Sequence, residues 1–241
     1  MKGGILYCLC ISLVFIAACS SPKELFTTKE IEENNRFSEI DQHFLKDNLV
    51  HFLDYRAYKD SFINAAQRDS TANIGLIADR LTFTMYNNEN EMYFGNDRDK
   101  CIIHYTSFSK YQKTEPAMID LFSKKKSNGP ERQTETRLIE ARAKGTIQYP
   151  AFEKGITFYF DNHTGYLLIN RDSFVLKPIY RGKSGPFQTV IGVQLVKENI
   201  VYGVVHSFTG LLKKKIFLYT KATADEQLLT AAYFAVIARY L

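Results

Sequence analysis

Near the C-terminus, Leu228 to Leu241 reads LLTAAYFAVIARYL, and only Thr230 and Arg239 in that stretch are polar. Thr223 with Glu226 just upstream forms a capping box, which starts a helix by satisfying its first free N–H groups. A helix that is apolar on every side has to be surrounded. Fourteen residues of helix reach only about 21 Å, short of the roughly 30 Å of hydrocarbon in a membrane. The surround is therefore protein, and a sheet curling round the helix is the simplest way to supply it. Ala231, Ala232, Ala235 and Ala238 leave room for strands to approach closely. Phe234 and Ile237 are expected near the centre of the resulting core.

The rest of the chain supplies the strands. It is rich in β-favouring aromatics, with 18 Phe and 15 Tyr and no Trp. Arg80 to Tyr86 alternates, Asn87-Asn88-Glu89-Asn90 reads as a turn, and Glu91 to Phe94 continues as the second arm of a hairpin. Strands follow at Lys100–Phe108, Arg137–Tyr149, Ile156–Phe160, Tyr166–Asn170, Ser173–Tyr180, Thr189–Val196, Ile200–His206 and Lys214–Tyr219. Turns are expected at Asp161-Asn162 and Asn170-Arg171, and a helical turn within Lys113–Leu121. Ahead of the strands, Ser38 to about Arg68 reads as a helix. Ser38 with Asp41 offers a cap, and Phe44, Leu45, Leu49, Phe52, Leu53, Tyr55, Phe62 and Ile63 gather on one side of a 3.6-residue wheel. The expected fold class is α+β. An antiparallel β-barrel or strongly curled sheet spanning residues 74–241 packs around a hydrophobic C-terminal helix, preceded by an N-terminal helical segment at residues 37–70. An open α+β domain with a docked terminal helix is the alternative.

Antiparallel strands followed by a terminal hydrophobic helix resemble the tubby-like and LURP-one-related fold. The Asp225-Glu-Gln-Leu-Leu-Thr-Ala-Ala232 helix start and the Phe83-Thr-Met-Tyr-Asn-Asn-Glu-Asn90 segment are similar in texture to that family. The resemblance covers about Ile74 to Leu241 and implies a closed barrel around the helix. It carries over no functional residues.

The N-terminus is an address. Lys2 supplies a positive charge, Ile5 to Ala17 is an apolar run of about 13 residues, and Ile16-Ala17-Ala18-Cys19 follows. Such a run is a signal-peptide core, too short for a membrane span. The last four residues resemble the bacterial lipobox. That resemblance implies removal of residues 1–18 and lipid on Cys19, with acyl burial worth about 0.8 kcal/mol per CH₂. Residues 19–36 then form a polar tether. Cys8 and Cys10 leave with the signal, so Cys101 is the lone thiol of the body and no internal disulfide can form. Its setting, Lys100-Cys-Ile-Ile-His-Tyr105, is that of a buried strand thiol.

Charge is uneven. Lys23 to Asp47 holds seven acids and four bases, whereas Arg171 to Lys221 holds nine bases and two acids. The net +5 is too mild to imply nucleic acid. Lys213-Lys214-Lys215 within the basic half is the candidate partner-binding site, set against the reading that these lysines guard an edge strand. His43, Asp47, His51 and Asp54 share an arc of about 80° on an ideal helix, making His43, Asp47 and His51 the candidate metal ligands; a solvated helix face competes. Asp161, His163 and Ser207 contain the residue types of a hydrolytic triad, but no GxSxG elbow supports a serine. His104 and His206 are scattered among strands. Gly182-Lys183-Ser184-Gly185 lacks the upstream glycine of a phosphate loop and reads as a surface turn.

No catalytic residue, cofactor or resident metal is assigned. The expectation is a non-enzymatic lipoprotein of the bacterial cell envelope, anchored through Cys19 on the periplasmic or cell-surface side, with the outer membrane ahead of the inner. It would act as a binding or scaffolding module for an envelope protein or anionic ligand. The alternatives are an envelope hydrolase and an inhibitor or immunity-type lipoprotein whose basic half meets an acidic partner.

Overall fold

The computed structural model describes residues 35–41, 51–72, 80–115, 134–152, 155–181, 189–207 and 213–240, all within one compact unit, Asn34–Leu241. The signal peptide, Cys19 and most of the tether lie outside the described residues.

Twelve strands and one helix make up the described fold. The strands are β1 (Asn35–Asp41), β2 (His51–Phe52), β3 (Tyr55–Ala72), β4 (Arg80–Gly95), β5 (Lys100–Glu115), β6 (Glu135–Gln148), β7 (Ile156–Asp161), β8 (Thr164–Ile169), β9 (Asp172–Arg181), β10 (Thr189–Lys197), β11 (Ile200–Ser207) and β12 (Lys213–Tyr219). Helix α1 (Ala224–Ile237) follows. All strands join one antiparallel sheet in the order β1-β12-β11-β10-β9-β8-β7-β6-β5-β4-β3-β2. From β2 to β12 the chain is a meander, and β1 adds to its far end. Two-residue turns with left-handed φ at Asn162, Glu198 and Asn199, and at Asn170, match the right-handed twist of the strands they join.

The sheet curls but does not close. Its outermost strands are β1 and β2, and an exposed ion pair between Arg36 of β1 and Asp54 in the β2–β3 turn spans the seam. Among the described residues no ladder of backbone hydrogen bonds joins these edges, so the closed-barrel form of the expectation gives way to a curled open sheet.

Inside the curl lies α1, capped as its sequence implies: Glu226 N–H donates to Thr223 Oγ1 at 3.2 Å, and Thr223 N–H donates to the Glu226 carboxylate at 3.0 Å. Leu228 to Ala238 are buried throughout, with Phe234 and Ile237 fully so. Around them stand the inward residues of alternating strands: Phe94, Ile103, Ile147, Phe158, Phe160, Leu167, Phe174, Leu195, Val205 and Ile216. The Tyr233 hydroxyl donates to the Tyr159 carbonyl at 2.6 Å, giving the one polar group of its ring a partner inside the core. Gly203 makes this packing possible. A Cβ there would lie 2.5 Å from the Phe234 ring, so only glycine lets β11 come this close to the helix.

The N-terminal helical segment is corrected wherever it is described. Residues 35–41 form β1, His51–Phe52 form β2, and Tyr55–Ala72 form β3, which pairs with β4 from Arg56↔Gly95 to Ala72↔Leu81. Residues 42–50 lie outside the described set. The wheel pattern has a physical origin. The β3 ladder shifts register between Ala57 and Lys59 and again between Phe62 and Asn64. Each bulge inserts a residue and breaks the two-residue alternation. Ile63 of the wheel set is the residue that the second bulge inserts. Two further corrections concern β4 and β5. The Asn87–Asn90 stretch is mid-strand, and the hairpin turn is at Asn96–Asp99, where Asn96 Oδ1 accepts from the N–H groups of Arg98 and Asp99. Strand β5 continues to Glu115, so residues 113–115 are extended.

Candidate ligand-binding site

Strands β4 and β5 are longer than the helix they embrace, and the consequence is legible in their inward-facing residues. Beside the helix these are apolar: Met92 and Phe94 on β4, Cys101, Ile103 and Tyr105 on β5, all buried. Beyond the end of the helix the same faces turn polar. On β4 every second residue is Asn90, Asn88, Tyr86 and Thr84; on β5 it is Ser107, Ser109, Tyr111 and Lys113. The register sets Asn88 opposite Ser107, Tyr86 opposite Ser109 and Thr84 opposite Tyr111. Thr136 of β6 joins them opposite Lys113. Arg239 and Tyr240, directly after α1, close the other side. Ser107 apart, these polar residues line a cup of about 570 Å³, within the range of small-molecule sites.

Its floor is Asn90, 1% exposed. The Asn90 Nδ2 group donates to Ser107 Oγ at 3.2 Å, while Oδ1 has no protein partner among the described residues. Buried polar atoms are usually satisfied, and this oxygen is closed off from the solvent in the cup. Arg239 Nη1 donates to the Tyr105 hydroxyl at 2.6 Å. Burial lowers the Arg239 guanidinium below its ordinary value, yet arginine has enough margin to stay protonated. Burial likewise pushes the Tyr105 phenol far up, so it accepts from Arg239 as a neutral group. At the rim, Lys113 and Arg80 both reach Glu115, at 2.6 and 3.9 Å, and Lys113 holds that carboxyl below its usual range. Tyr86 and Tyr111 meet edge to face at 5.8 Å and supply aromatic wall.

A second cavity of about 830 Å³ lies near the opposite end of the helix, lined by Tyr58, Tyr93, Ile102, Tyr149 and Phe152. Lys100 and Arg56 stand over the Tyr58 ring at 4.6 and 4.8 Å. Tyr149 donates to Asp225 Oδ1 at 2.7 Å, and that bond, aided by burial, raises its phenol. A third hollow on the outer face runs past Glu89, Phe108, Arg142 and Lys144. There Arg142 is already engaged with Glu140 and Asp161.

The residues singled out from sequence fare unevenly. Cys19, His43 and Asp47 lie outside the described residues. His51 is on β2, and Asp54 sits in a turn engaged with Arg36, so the helical arc that would have joined them does not form at those two positions. Among the described residues no three His, Cys, Asp or Glu side chains converge on a metal-sized site. Lys213, Lys214 and Lys215 open β12, which pairs on one flank with β1 and on the other with β11. This strand is therefore interior, and the edge-strand reading is corrected. Lys213 is opposite Asp41 and Lys215 opposite Glu39 in the register, so the basic half of the chain meets the acidic N-terminal segment within one ladder. Asp161 and His163 stand at the β7–β8 turn, whereas Ser207 ends β11, with β8, β9 and β10 between; no triad forms. His104 Nδ1 lies 3.4 Å from Glu91, and His206 is buried against Phe217. Gly182 to Gly185 lie outside the described residues, between antiparallel neighbours β9 and β10. Cys101 is the buried strand thiol expected: it is 1% exposed, its Sγ–H donates to the Phe94 carbonyl, and burial raises it to about 12.

The cup itself escaped the sequence reading. The signal was present as Asn88 and Asn90, amides at alternate positions inside an otherwise strand-like stretch. Comparison with protein-family models, curated proteins and solved structures returns no match.

Proposed function

We propose that this chain is a bacterial envelope lipoprotein, held to the membrane by lipid on Cys19, whose β-domain is a non-enzymatic binding module. The observation that carries the binding role is the cup at the end of α1. It is concave, walled by strands paired on both sides, lined with hydroxyls and amides, and backed by a buried guanidinium. Such a surface offers many hydrogen bonds to a small polar ligand and has little adaptability of its own. The anchor rests on Ile16-Ala17-Ala18-Cys19 and the apolar run before it. Among the described residues no helix is long and apolar enough to cross a membrane. The meander around a terminal helix is in keeping with the tubby-like resemblance, which we retain as a proposal about architecture alone, with the difference that this sheet stays open.

Two measurements test the reading. Cys19→Ser should lose labelled palmitate and leave the membrane fraction; a variant that keeps both refutes the anchor. Saturable small-molecule binding that protects the cup residues in hydrogen exchange supports the module. Turnover of an envelope substrate by the purified chain would replace it with the hydrolase alternative.

A further inference from the structure

We infer that the cavity near the start of α1 is a second binding site, and that it takes one extended acyl chain ending in a carboxylate, a free fatty acid of medium length. The site shares no lining residue with the cup. Register gives its shape. Tyr93, Ile102 and Gln148 stand opposite one another on β4, β5 and β6. They alternate with the buried Met92, Phe94, Cys101, Ile103 and Ile147, so they face away from the helix. Tyr58, the residue that the first bulge of β3 inserts, adds a fourth strand to this row. Neighbouring strands lie about 4.8 Å apart, so the row runs about 14 Å across the sheet. An extended chain advances roughly 1.2 Å per bond, so about twelve carbons match that length. At the β6 end the wall is the turn from Tyr149 to Phe152, in which the Phe152 N–H donates to the Tyr149 carbonyl at 3.0 Å. The Tyr149 hydroxyl ties that wall to Asp225 at the start of the helix. Rings, Ile102 and Pro150 thus make a fixed, mostly apolar trough that gains by covering a hydrocarbon chain. Charge sets the direction of the chain. Lys100 is the one charged side chain among the described lining residues; its Nζ lies 4.6 Å from the centre of the Tyr58 ring, and it makes no ion pair among the described residues. The nearby acids are turned elsewhere. Asp97 pairs with Arg56, Asp99 and Asp225 face the Tyr149 hydroxyl, and Glu91 lies against His104. A carboxylate therefore belongs at the Tyr58 end, with the tail over Ile102 towards Phe152. A cation is opposed there, because Lys100 and Arg56 already stand over the Tyr58 ring.

Dodecanoate, hexanoate and dodecyltrimethylammonium are the probes, titrated by calorimetry into the full chain in a sterol-based detergent, which has no acyl chain to compete. Dodecanoate is expected to bind at least about tenfold more tightly than either of the others; tenfold corresponds to about 1.4 kcal/mol. Hexanoate covers only part of the trough, and the ammonium head meets Lys100. Lys100 is exposed and Ile102 half-buried on the outer face, so substitution of either should leave the fold intact. Lys100→Gln should weaken dodecanoate severalfold without weakening the cation. Ile102→Gln should weaken both twelve-carbon probes severalfold. Hexanoate or the cation binding as tightly as dodecanoate overturns the assignment, as does the absence of saturable dodecanoate binding. Full dodecanoate affinity in both folded variants overturns it too. Neither substitution touches the cup, so each of these failures leaves the binding-module reading standing.

Discussion

Gly203→Ala probes the helix-in-sheet packing with a single methyl group. The new Cβ would lie 2.5 Å from Phe234 Cε2, 3.0 Å from its Cζ and 3.0 Å from Thr230 Cγ2. None of these atoms can yield easily. Phe234 and Thr230 are buried, and β11 is held on both flanks by β10 and β12. Overpacking of this kind costs about 1–3 kcal/mol. For a domain of this size 1 kcal/mol moves the melting temperature by about 2–4 °C, so the expected drop is about 2–12 °C. The sharper form of the test is a cycle with Phe234→Leu, which withdraws the ring atoms that the methyl strikes. Each single change should destabilise. The double variant should be less destabilised than the sum by about 1 kcal/mol or more, since contacting residues couple by about 0.5–3 kcal/mol. Urea unfolding monitored by circular dichroism gives all four free energies. Additivity within about 0.5 kcal/mol would mean that the methyl and the ring do not meet, and the close approach of β11 to the helix would be refuted.

Other perturbations read other parts of the fold. Phe234→Ala should cost about 3–5 kcal/mol through lost burial and an unfilled cavity, and a melting shift below about 2 °C would refute burial of the helix. Thr223→Ala removes the helix cap and should cost about 1 kcal/mol by thermal melting, whereas Asp54→Asn breaks only the exposed seam pair with Arg36 and should cost under about 1 kcal/mol. Cys101 should resist a thiol reagent at pH 8 in the native protein and react on unfolding. Since burial raises its folded value to about 12, against about 8.5 when unfolded, the thiol's contribution is fully present below about pH 8.5 and is lost as pH rises towards 12. Cys101→Ala should therefore flatten the alkaline end of the stability profile, and an unchanged profile would contradict the thiol's burial.

The terminal helix was legible because its pattern admits few physical solutions: a short segment apolar on all sides must be enclosed. Strands β6 to β12 were legible for a similar reason, as Phe158 and Phe160, Leu167 and Ile169, or Phe174 and Leu176 alternate with exposed neighbours and end at Asn turns. Strand β3 was not, because its two bulges interrupt the period of two that marks a strand. The Asn88–Asn90 stretch misled for the opposite reason. Asparagine favours turns through local side-chain bonds, but here Asn90 directs its amide N–H to Ser107 across the ladder. That contact belongs to tertiary structure, and so does the cup it floors. The seam at β1 was equally hidden, since pairing Asn35 with Tyr219 depends on how far the whole sheet curls.

The position of α1 after all twelve strands has a consequence for how the protein comes into being. A chain made from its N-terminus exposes β2 through β12 before the element that fills their interior exists. Until Leu228 to Ala238 emerge, Phe94, Ile103, Phe158 and Phe160 have no common partner to bury against, and the nascent sheet is a set of hairpins with wet apolar faces. Pairing of β1 with β12 must likewise wait until Lys213–Tyr219 has been made. Folding of this domain is thus deferred until α1 has been made, a sequence of events that exposes the chain to aggregation and proteases. The same deferral means that nothing stable has to be undone if the chain is bound or unfolded before α1 has been made.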